Sequence, residues 1–295
     1  MSDYVLSAES TADYPRSFFE ERHIAWVPFH YNLDGVSYAD DLYTSITPEA
    51  FFDKIKAGAQ PTTSQVGVGE YVELWEPYLK EGKDVLHLTL SSGISGSYNS
   101  ACIAAEQMKA AYPDRVVCVV DSLAASAGFG LLMEYLADLR DGGMSFADAC
   151  AWAEAHKRNL NHWFFVSDLD CLKRGGRVSA TSALLANALK ICPVLNVDHE
   201  GKLIPRQKIR TVKKAVAELV RMMEEHAEGG RSYAGKCCLS QSNCRAEAEA
   251  VVAGIEEKFP QLKGKIAIYN IGTVIGSHTG PGTVALFFMG DERVD

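Results

Sequence analysis

Several short polar, glycine-containing segments are set into apolar surroundings, and these are where chemistry is expected. Pro61-Thr62-Thr63-Ser64-Gln65 supplies three adjacent hydroxyls ahead of a helical stretch. Capping a helix N-terminus needs only one of them. Ser91-Ser92-Gly93-Ile94-Ser95-Gly96-Ser97 follows the apolar run Val85–Leu90 and precedes a second helical stretch. A strand, a glycine-rich turn and a helix N-terminus together make an anion site, because unpaired amides and the positive end of the helix dipole converge there. A phosphate loop would need G-x-x-x-x-G-K-[ST], and this segment has no lysine. A nucleophile elbow would read G-x-S-x-G, and Gly93-Ile94-Ser95-Gly96-Ser97 lacks the last glycine. A pocket for a carboxylate needs only donors. The hydroxyls of Thr62, Thr63, Ser64, Ser95 and Ser97 and the amides near Gly96 provide them.

Two further segments carry candidate groups. Gly276-Ser277-His278-Thr279-Gly280-Pro281-Gly282 presents a histidine in what reads as a rigid glycine turn beside the apolar run Thr283–Phe288. An imidazole held in such a place is a candidate ligand donor. Leu172-Lys173-Arg174-Gly175-Gly176-Arg177-Val178-Ser179 brings two arginines to a glycine pair, before a helix expected at Thr181. It reads either as a solvated loop or as a site for carboxylate or phosphoryl groups, which suit the guanidinium fork. Two classes of function follow. Either the hydroxyls and the imidazole of these segments serve as donors to a bound carboxylate, or Ser95 is a nucleophile with His278 as its base. The second needs an acidic residue to orient the imidazole, and the sequence does not name one.

The elements that must hold these groups read as an α/β protein. Tyr4–Leu6, Ile24–Phe29, Val85–Leu90 and Arg115–Val120 have the character of strands. Pro48–Ala57, Glu70–Lys80, Ser97–Ala111 and Ser122–Leu139 have apolar residues three and four apart, as helices do. Their alternation predicts βαβ units and a parallel sheet. Asp141-Gly142-Gly143 stops one helix, and Ser145 caps the next, running to about Arg158. Later strands are expected at Trp163–Val166, Val194–Val197, Lys236–Ser240, Lys265–Tyr269 and Thr283–Phe288, with helices at Val212–Glu228 and Arg245–Phe259. The Asp198-His199-Glu200-Gly201 turn predicts an antiparallel hairpin. The expected architecture is two α/β lobes, residues 1–158 with a parallel sheet and 159–295 with a mixed one, with a ligand cleft between them.

Composition narrows the class. The 295 residues carry a formal charge of -9, which disfavours a nucleic-acid partner. The basic stretch Lys202 to Lys214 reads as a solvated helix start and loop, or as a docking patch for an acidic protein. Eight cysteines show neither C-x-x-C nor zinc-ligand spacing and sit largely in apolar runs such as Val116–Val120 and Leu184–Val197. Free thiols packed as small hydrophobes, no metal and a reducing compartment are expected. MSDYVLSAES has neither a basic nor an apolar leader region, and no apolar window approaches about 18 residues. The expectation is a cytoplasmic protein without a transmembrane segment.

In these segments the sequence resembles the DegV family. The resemblance rests on Ser10-Thr11-Ala12-Asp13, Thr63-Ser64-Gln65, Ser95-Gly96-Ser97-Tyr98, Arg174-Gly175-Gly176-Arg177-Val178-Ser179 and Gly276-Ser277-His278-Thr279-Gly280-Pro281-Gly282. Five motifs in order and in register cover residues 3–290. The resemblance implies two α/β domains with a long-chain fatty acid between them and no catalysis by the chain itself. It implies no cofactor other than that bound acid. It also implies a partner, the catalytic subunit of a fatty acid kinase, which phosphorylates the acid to an acyl phosphate; transient contact with a membrane surface is compatible with this. Thr63 and Ser95 match the family's carboxylate-binding hydroxyls, and His278 its head-group histidine. Arg174 and Arg177 match the basic loop at the cleft mouth, where the phosphoryl donor approaches. Glu9 stands where the family usually has Asp. Cys192 precedes Pro193 where a lysine is common, which removes a charge expected near the head group or the partner surface.

Overall fold

The structure, a computed structural model, describes residues 4–167, 169–178 and 191–293. In its first part the elements are β1 (Tyr4–Glu9), α1 (Arg16–Glu21), β2 (Ala25–Val27), β3 (His30–Leu33), β4 (Val36–Ala39), α2 (Pro48–Lys56), β5 (Thr62–Ser64), α3 (Val68–Lys80), β6 (Asp84–Thr89), α4 (Ser97–Ala111), β7 (Val117–Asp121), α5 (Ser126–Asp141) and α6 (Phe146–His156). There follow β8 (Leu160–Val166), α7 (Asp170–Gly175), β9 (Cys192–Val197), β10 (Leu203–Ile209), α8 (Val212–His226), β11 (Cys237–Gln241), α9 (Arg245–Lys258), β12 (Ala267–Asn270), α10 (Thr273–Thr279) and β13 (Thr283–Met289).

These elements form an α/β fold of two lobes. Four parallel strands in the order β2-β1-β6-β7 make one sheet, and six strands in the order β10-β9-β8-β13-β11-β12 make a mixed one. In the larger sheet only β11 and β12 run parallel. Its neighbouring strands β8 and β13 are buried along their whole length, which is why Leu160–Val166 and Thr283–Met289 read as nearly unbroken apolar runs. A third, antiparallel sheet, β4-β3-β5, is assembled from short strands with polar residues such as His30, Asn32 and Ser37. The sequence pattern did not predict it, because strands of three or four residues leave no measurable alternation.

Helix α5 lies between the two larger sheets, packing on β1 on one side and on β8, β11 and β13 on the other. Its first turns are made of small residues, Ser126-Ala127-Gly128, and the helix is buried nearly all round. A Cβ added at Gly128 would lie 2.4 Å from His162 Nε2 and 2.6 Å from the Phe287 ring, so the helix reaches the sheet only because that atom is missing. The hairpin β9–β10 forms as expected, its turn held by Asp198 Oδ1, which accepts the Glu200 and Lys202 amides at 2.9 and 2.8 Å. That turn touches the first lobe: Ser91 Oγ donates to the Gly201 carbonyl at 2.8 Å. Arg293 ties the same junction, donating to the carbonyls of Leu123 (2.9 Å), Asp198 (3.0 Å) and Lys157 (3.0 Å).

Three expectations need correction. The helix expected from Ser122 begins at Ser126, because Asp121 Oδ1 accepts the Leu123 amide and Ser122 Oγ the Ala124 amide, holding a turn there. The basic stretch Lys202 to Lys214 is loop and helix start only from Arg210 on: Leu203–Ile209 is a strand with Leu203 and Pro205 buried, and the helix begins at Val212. Arg174 and Gly175 end a helix rather than lie in a loop. Ser179, the helix expected at Thr181 and the apolar run up to Lys190 lie outside the described residues. Among the described residues no helix is long and apolar enough to cross a membrane.

Gly128→Ala is expected to lower the unfolding free energy by roughly 1–3 kcal/mol, as overpacking does. Gly69→Ala, in α3 with open space around the added methyl, is expected to raise it by about 0.5 kcal/mol. Urea titrations of both variants beside the parent test whether the α5 contact has this tolerance.

Candidate functional site

The first sheet places its switch point between β1 and β6: the chain leaves β1 toward β2 on one side and toward β6 and β7 on the other. Loops at the carboxyl ends of strands beside such a point line a crevice. The Leu90–Gly96 turn is one of them. Ser95 N donates to the Ser91 carbonyl at 3.1 Å, and Ser97 N donates to Ser95 Oγ at 3.1 Å. Gly96 is the N-cap of α4 and has no side chain to cap it. The positive end of a 15-residue helix therefore faces this turn.

Glu9, at the end of β1, anchors the turn from below. It is fully buried, its Oε2 accepts the Leu90 amide at 2.7 Å, and its Oε1 accepts the Tyr71 hydroxyl from α3. Burial pushes its pKa up to about 7, against the pull of these two hydrogen bonds.

Thr63 comes from β5, not from a loop. Strand alternation leaves Thr62 and Ser64 exposed and turns Thr63, paired with Tyr31, inward. His278 likewise sits on α10 rather than in a glycine turn; the turn begins after it, at Gly280. His278 Nε2 lies 2.7 Å from Thr63 Oγ1, a hydrogen bond between residues 215 apart in sequence. Burial, and then the nearby Arg177, push the imidazole down to about 4, so it is neutral at pH 7. Its Nδ1 is buried with no hydrogen-bond partner among the described residues. A Cβ on Gly175 would lie 2.3 Å from that nitrogen, so the first glycine of the Gly175-Gly176 pair is what lets α7 close over His278. Helix α10 is itself held by two buried carboxylates at its start. Thr273 Oγ1 donates to Asp40 Oδ1 at 2.8 Å, and Asp13 stands against Gly272. Burial raises both acids above the usual carboxylate range.

Thr63, Ser95, Gly96, His278 and Arg177 share one cavity, and the rest of its wall is largely apolar. From the first lobe come Phe29, Leu90 and Ile94, and the start of α5 contributes Ala125 and Ser126. The second lobe supplies Phe164 from β8, Ala285 and Phe287 from β13, Val197 and Leu203 from the hairpin, and Val274 and Ile275 from α10. The alternation His162/Phe164 and Thr283/Ala285/Phe287 is a strand signal that points to these wall residues; choosing this face over the other requires the packed sheet. Gln65, which donates to Ser100 Oγ at 2.8 Å, also lines the cavity. Ser97 is buried but does not line it, and Thr62 and Ser64 do not either. Arg174 is exposed outside it, donating to Cys171 Sγ at 3.1 Å, while Arg177 donates to the Ile94 carbonyl at 3.2 Å. Cys192 is buried at the start of β9 and is not among the cavity residues.

The cavity thus holds the hydrogen-bonded pair of Thr63 and a neutral His278 together with Ser95 and the N-terminus of α4, in a wall that is largely aliphatic and aromatic. A sequence model described as "Uncharacterised protein, DegV family" matches residues 5–291. The chain belongs to the DegV family. A DegV domain-containing protein of Clostridium perfringens is 38% identical to it over 293 residues, 99% of each chain. Among solved structures, a DegV family protein from Thermus thermophilus, described by its fatty acid binding, superposes with a TM-score of 0.84 at 31% identity, covering 98% of this chain and 99% of that one. DegV of Bacillus subtilis, described as a fatty acid binding protein, has a TM-score of 0.83 at 28% identity, with 99% and 100% covered.

Within this DegV fold the two buried titratable groups have opposite effects on stability. Folded Glu9 keeps its proton to about pH 7, whereas the ordinary value is 4.5, so the stability that it contributes falls as pH rises through that window. Folded His278 stays neutral down to about 4 against an ordinary 6.5, so its contribution falls as pH drops through that window. Glu9→Gln is expected to gain on the parent by on the order of 3 kcal/mol between pH 4.5 and 8. Urea midpoints at several pH values measure this; a constant difference across the range contradicts the raised pKa.

Proposed function

We propose that this chain binds a long-chain fatty acid, with its carboxylate at Thr63, Ser95 and His278 and its tail along the apolar wall of the cavity. The observation that carries the reading is the Thr63–His278 hydrogen bond in a cavity that Ser95 also lines and whose wall is largely apolar. The fatty-acid-binding relatives support the same ligand class. Each buried methylene contributes about 0.8 kcal/mol, so a tail of about 16 carbons supplies roughly 10 kcal/mol before the costs of association. The carboxylate loses its hydration and must find donors instead. Hydroxyl groups and the N-terminus of α4 supply these without adding a second buried charge.

The fatty acid is presented rather than transformed by this chain. A serine hydrolase would need the imidazole bonded to Ser95 and oriented by a carboxylate. Here His278 is bonded to Thr63, and its other nitrogen has no partner among the described residues. The exposed Arg174 and Arg177, at the mouth, receive a separate kinase subunit, which converts the bound acid to an acyl phosphate. The chain works in the cytoplasm, as two lobes divided near residue 158.

Mass spectrometry of an organic extract of the purified protein is expected to find long-chain fatty acids. Ser95→Ala and Thr63→Val are each expected to weaken binding about tenfold, the equivalent of one hydrogen bond to a charged acceptor. A protein with no affinity for such acids sinks the proposal, and covalent labelling of Ser95 by a fluorophosphonate favours the hydrolase instead. Arg174→Ala is expected to leave binding intact and slow acyl phosphate formation when a bacterial fatty acid kinase subunit and ATP are added.

A further inference from the structure

Alternation along β8 turns His162 and Phe164 into the cavity described above, and Asn161 and Trp163 onto the opposite face of the six-stranded sheet. On that face a second cavity of roughly 250 Å³ is lined by Trp163, Asn196, Arg206, His226 and Arg293, among others. The β9–β10 ladder shifts register between Pro205 and Gln207, which leaves Arg206 as the extra residue of a bulge. Arg206 Nε donates to Asn196 Oδ1 at 2.8 Å, and its guanidinium is paired with no carboxylate among the described residues. Arg293 is buried, and its partners among the described residues are the carbonyls of Leu123, Asp198 and Lys157. Arg293 Nε and Trp163 Nε1 are buried with no acceptor among the described residues.

We propose that this cavity binds the phosphate group of a small soluble molecule, inorganic phosphate or a phosphate monoester, between Arg206, Arg293 and the Trp163 indole. All three groups are donors, so the ligand has to bring acceptors. Two guanidinium charges without a carboxylate partner call for two negative charges. A phosphate monoester carries roughly −1.5 to −2 at pH 7, whereas a carboxylate carries one. The planar fork of arginine also matches phosphate oxygens. Burial pushes the Arg293 pKa down to about 10, against the pull of Asp198, so an anion would relieve a charge that the fold leaves costly. The cavity is smaller than those that take drug-sized ligands.

The donors are held in place by the fold itself. His226 stacks on the Trp163 ring, with centroids 5.5 Å apart and planes 11° from parallel. The chain before Arg293 is fixed by three bonds of 2.9 Å: Asp291 N to the His226 carbonyl, Asn161 Nδ2 to the Asp291 carbonyl, and Arg293 N to the Arg158 carbonyl. Two acids, Asp291 and Glu292, also border the cavity. Their side chains are 70% and 64% exposed and lie 3.7 Å from His226 and from Arg158, so they do not neutralise Arg206 or Arg293. Exposed carboxylates at the rim repel an anionic membrane surface, which favours a soluble ligand over a lipid head group.

The test uses the full chain with nitrogen-15 in its four tryptophans, the Trp163 indole resonance being assigned by its loss in Trp163→Phe. Inorganic phosphate, added at constant ionic strength, is expected to shift that resonance saturably with a Kd of about 1 mM or tighter. Arg206→Gln is expected to weaken binding about tenfold, as the loss of one charge-assisted hydrogen bond does. Acetate is expected to bind about tenfold more weakly than phosphate. Calorimetric titration of the parent and of Arg206→Gln, a half-buried position, gives the same comparison without the Trp163 variant. A resonance unmoved by phosphate, an affinity unchanged in Arg206→Gln, or acetate binding as tightly as phosphate overturns the proposal. Sedimentation with phosphatidic acid vesicles that requires Arg206 assigns the site to a lipid surface and overturns the soluble ligand. The site lies on the other face of the sheet from the first cavity, so its failure leaves the fatty acid reading untouched.

Discussion

The carboxyl group of Glu9 is the constraint on which the rest of the site depends. An acidic side chain with no exposure is costly to bury, and here it is kept by the amide of Leu90 and the hydroxyl of Tyr71. Those two partners belong to different elements. Glu9 therefore joins the end of β1, the turn after β6 and helix α3 at one point, at the switch of the parallel sheet. The turn that carries Ser95 takes its path from there, and so does the start of α4. Its raised pKa leaves the group largely protonated at mildly acidic pH, so the turn that carries Ser95 does not rest on a strongly anionic group.

The second constraint is that the cavity belongs to neither lobe alone. Its polar corner pairs a residue from the small antiparallel sheet with one from a short helix near the end of the chain. Its apolar wall uses one face of the six-stranded sheet and the first turn of α5. Helix α5 fits between the sheets because Gly128 leaves room for His162 and Phe287. Ser91 and Arg293 pin the β9–β10 turn and the residues before α5 together with hydrogen bonds across the same junction. Relative movement of the lobes would therefore disturb both ends of the cavity at once.

Electrostatics are arranged locally against the overall charge. The chain is acidic as a whole, yet its buried acids are raised by desolvation and its cavity histidine is neutral. Arg177, which lines the cavity, and Arg174 both remain exposed. The cavity thus presents hydroxyls, a neutral imidazole and a helix dipole, while Arg174 and Arg177 keep their permanent charge exposed, where solvent carries its cost.

Much of the fold could be read from residue order. Apolar periodicity located the four parallel strands, their helices, the Ser145 cap and the Asp198–Gly201 hairpin, since these elements are long enough to show a period or have specific turn chemistry. Five motifs in register identified the family, and hydroxyls in excess of capping needs marked Thr63 and Ser95. Other features depended on partners far away in the chain. That Thr62–Ser64 is a strand was decided by pairing with His30–Asn32, and that pairing selected Thr63 over its two neighbours. That His278 is helical was decided by α10 packing under α7, with its start held by Asp13 and Asp40. That Glu9 is buried beneath the Leu90–Gly96 turn and that Cys192 is buried outside the cavity lining were likewise decided by packing. A sequence records which side chains can donate, accept or avoid water. Which of them meet, and which lose their water, is settled only when distant segments pack together.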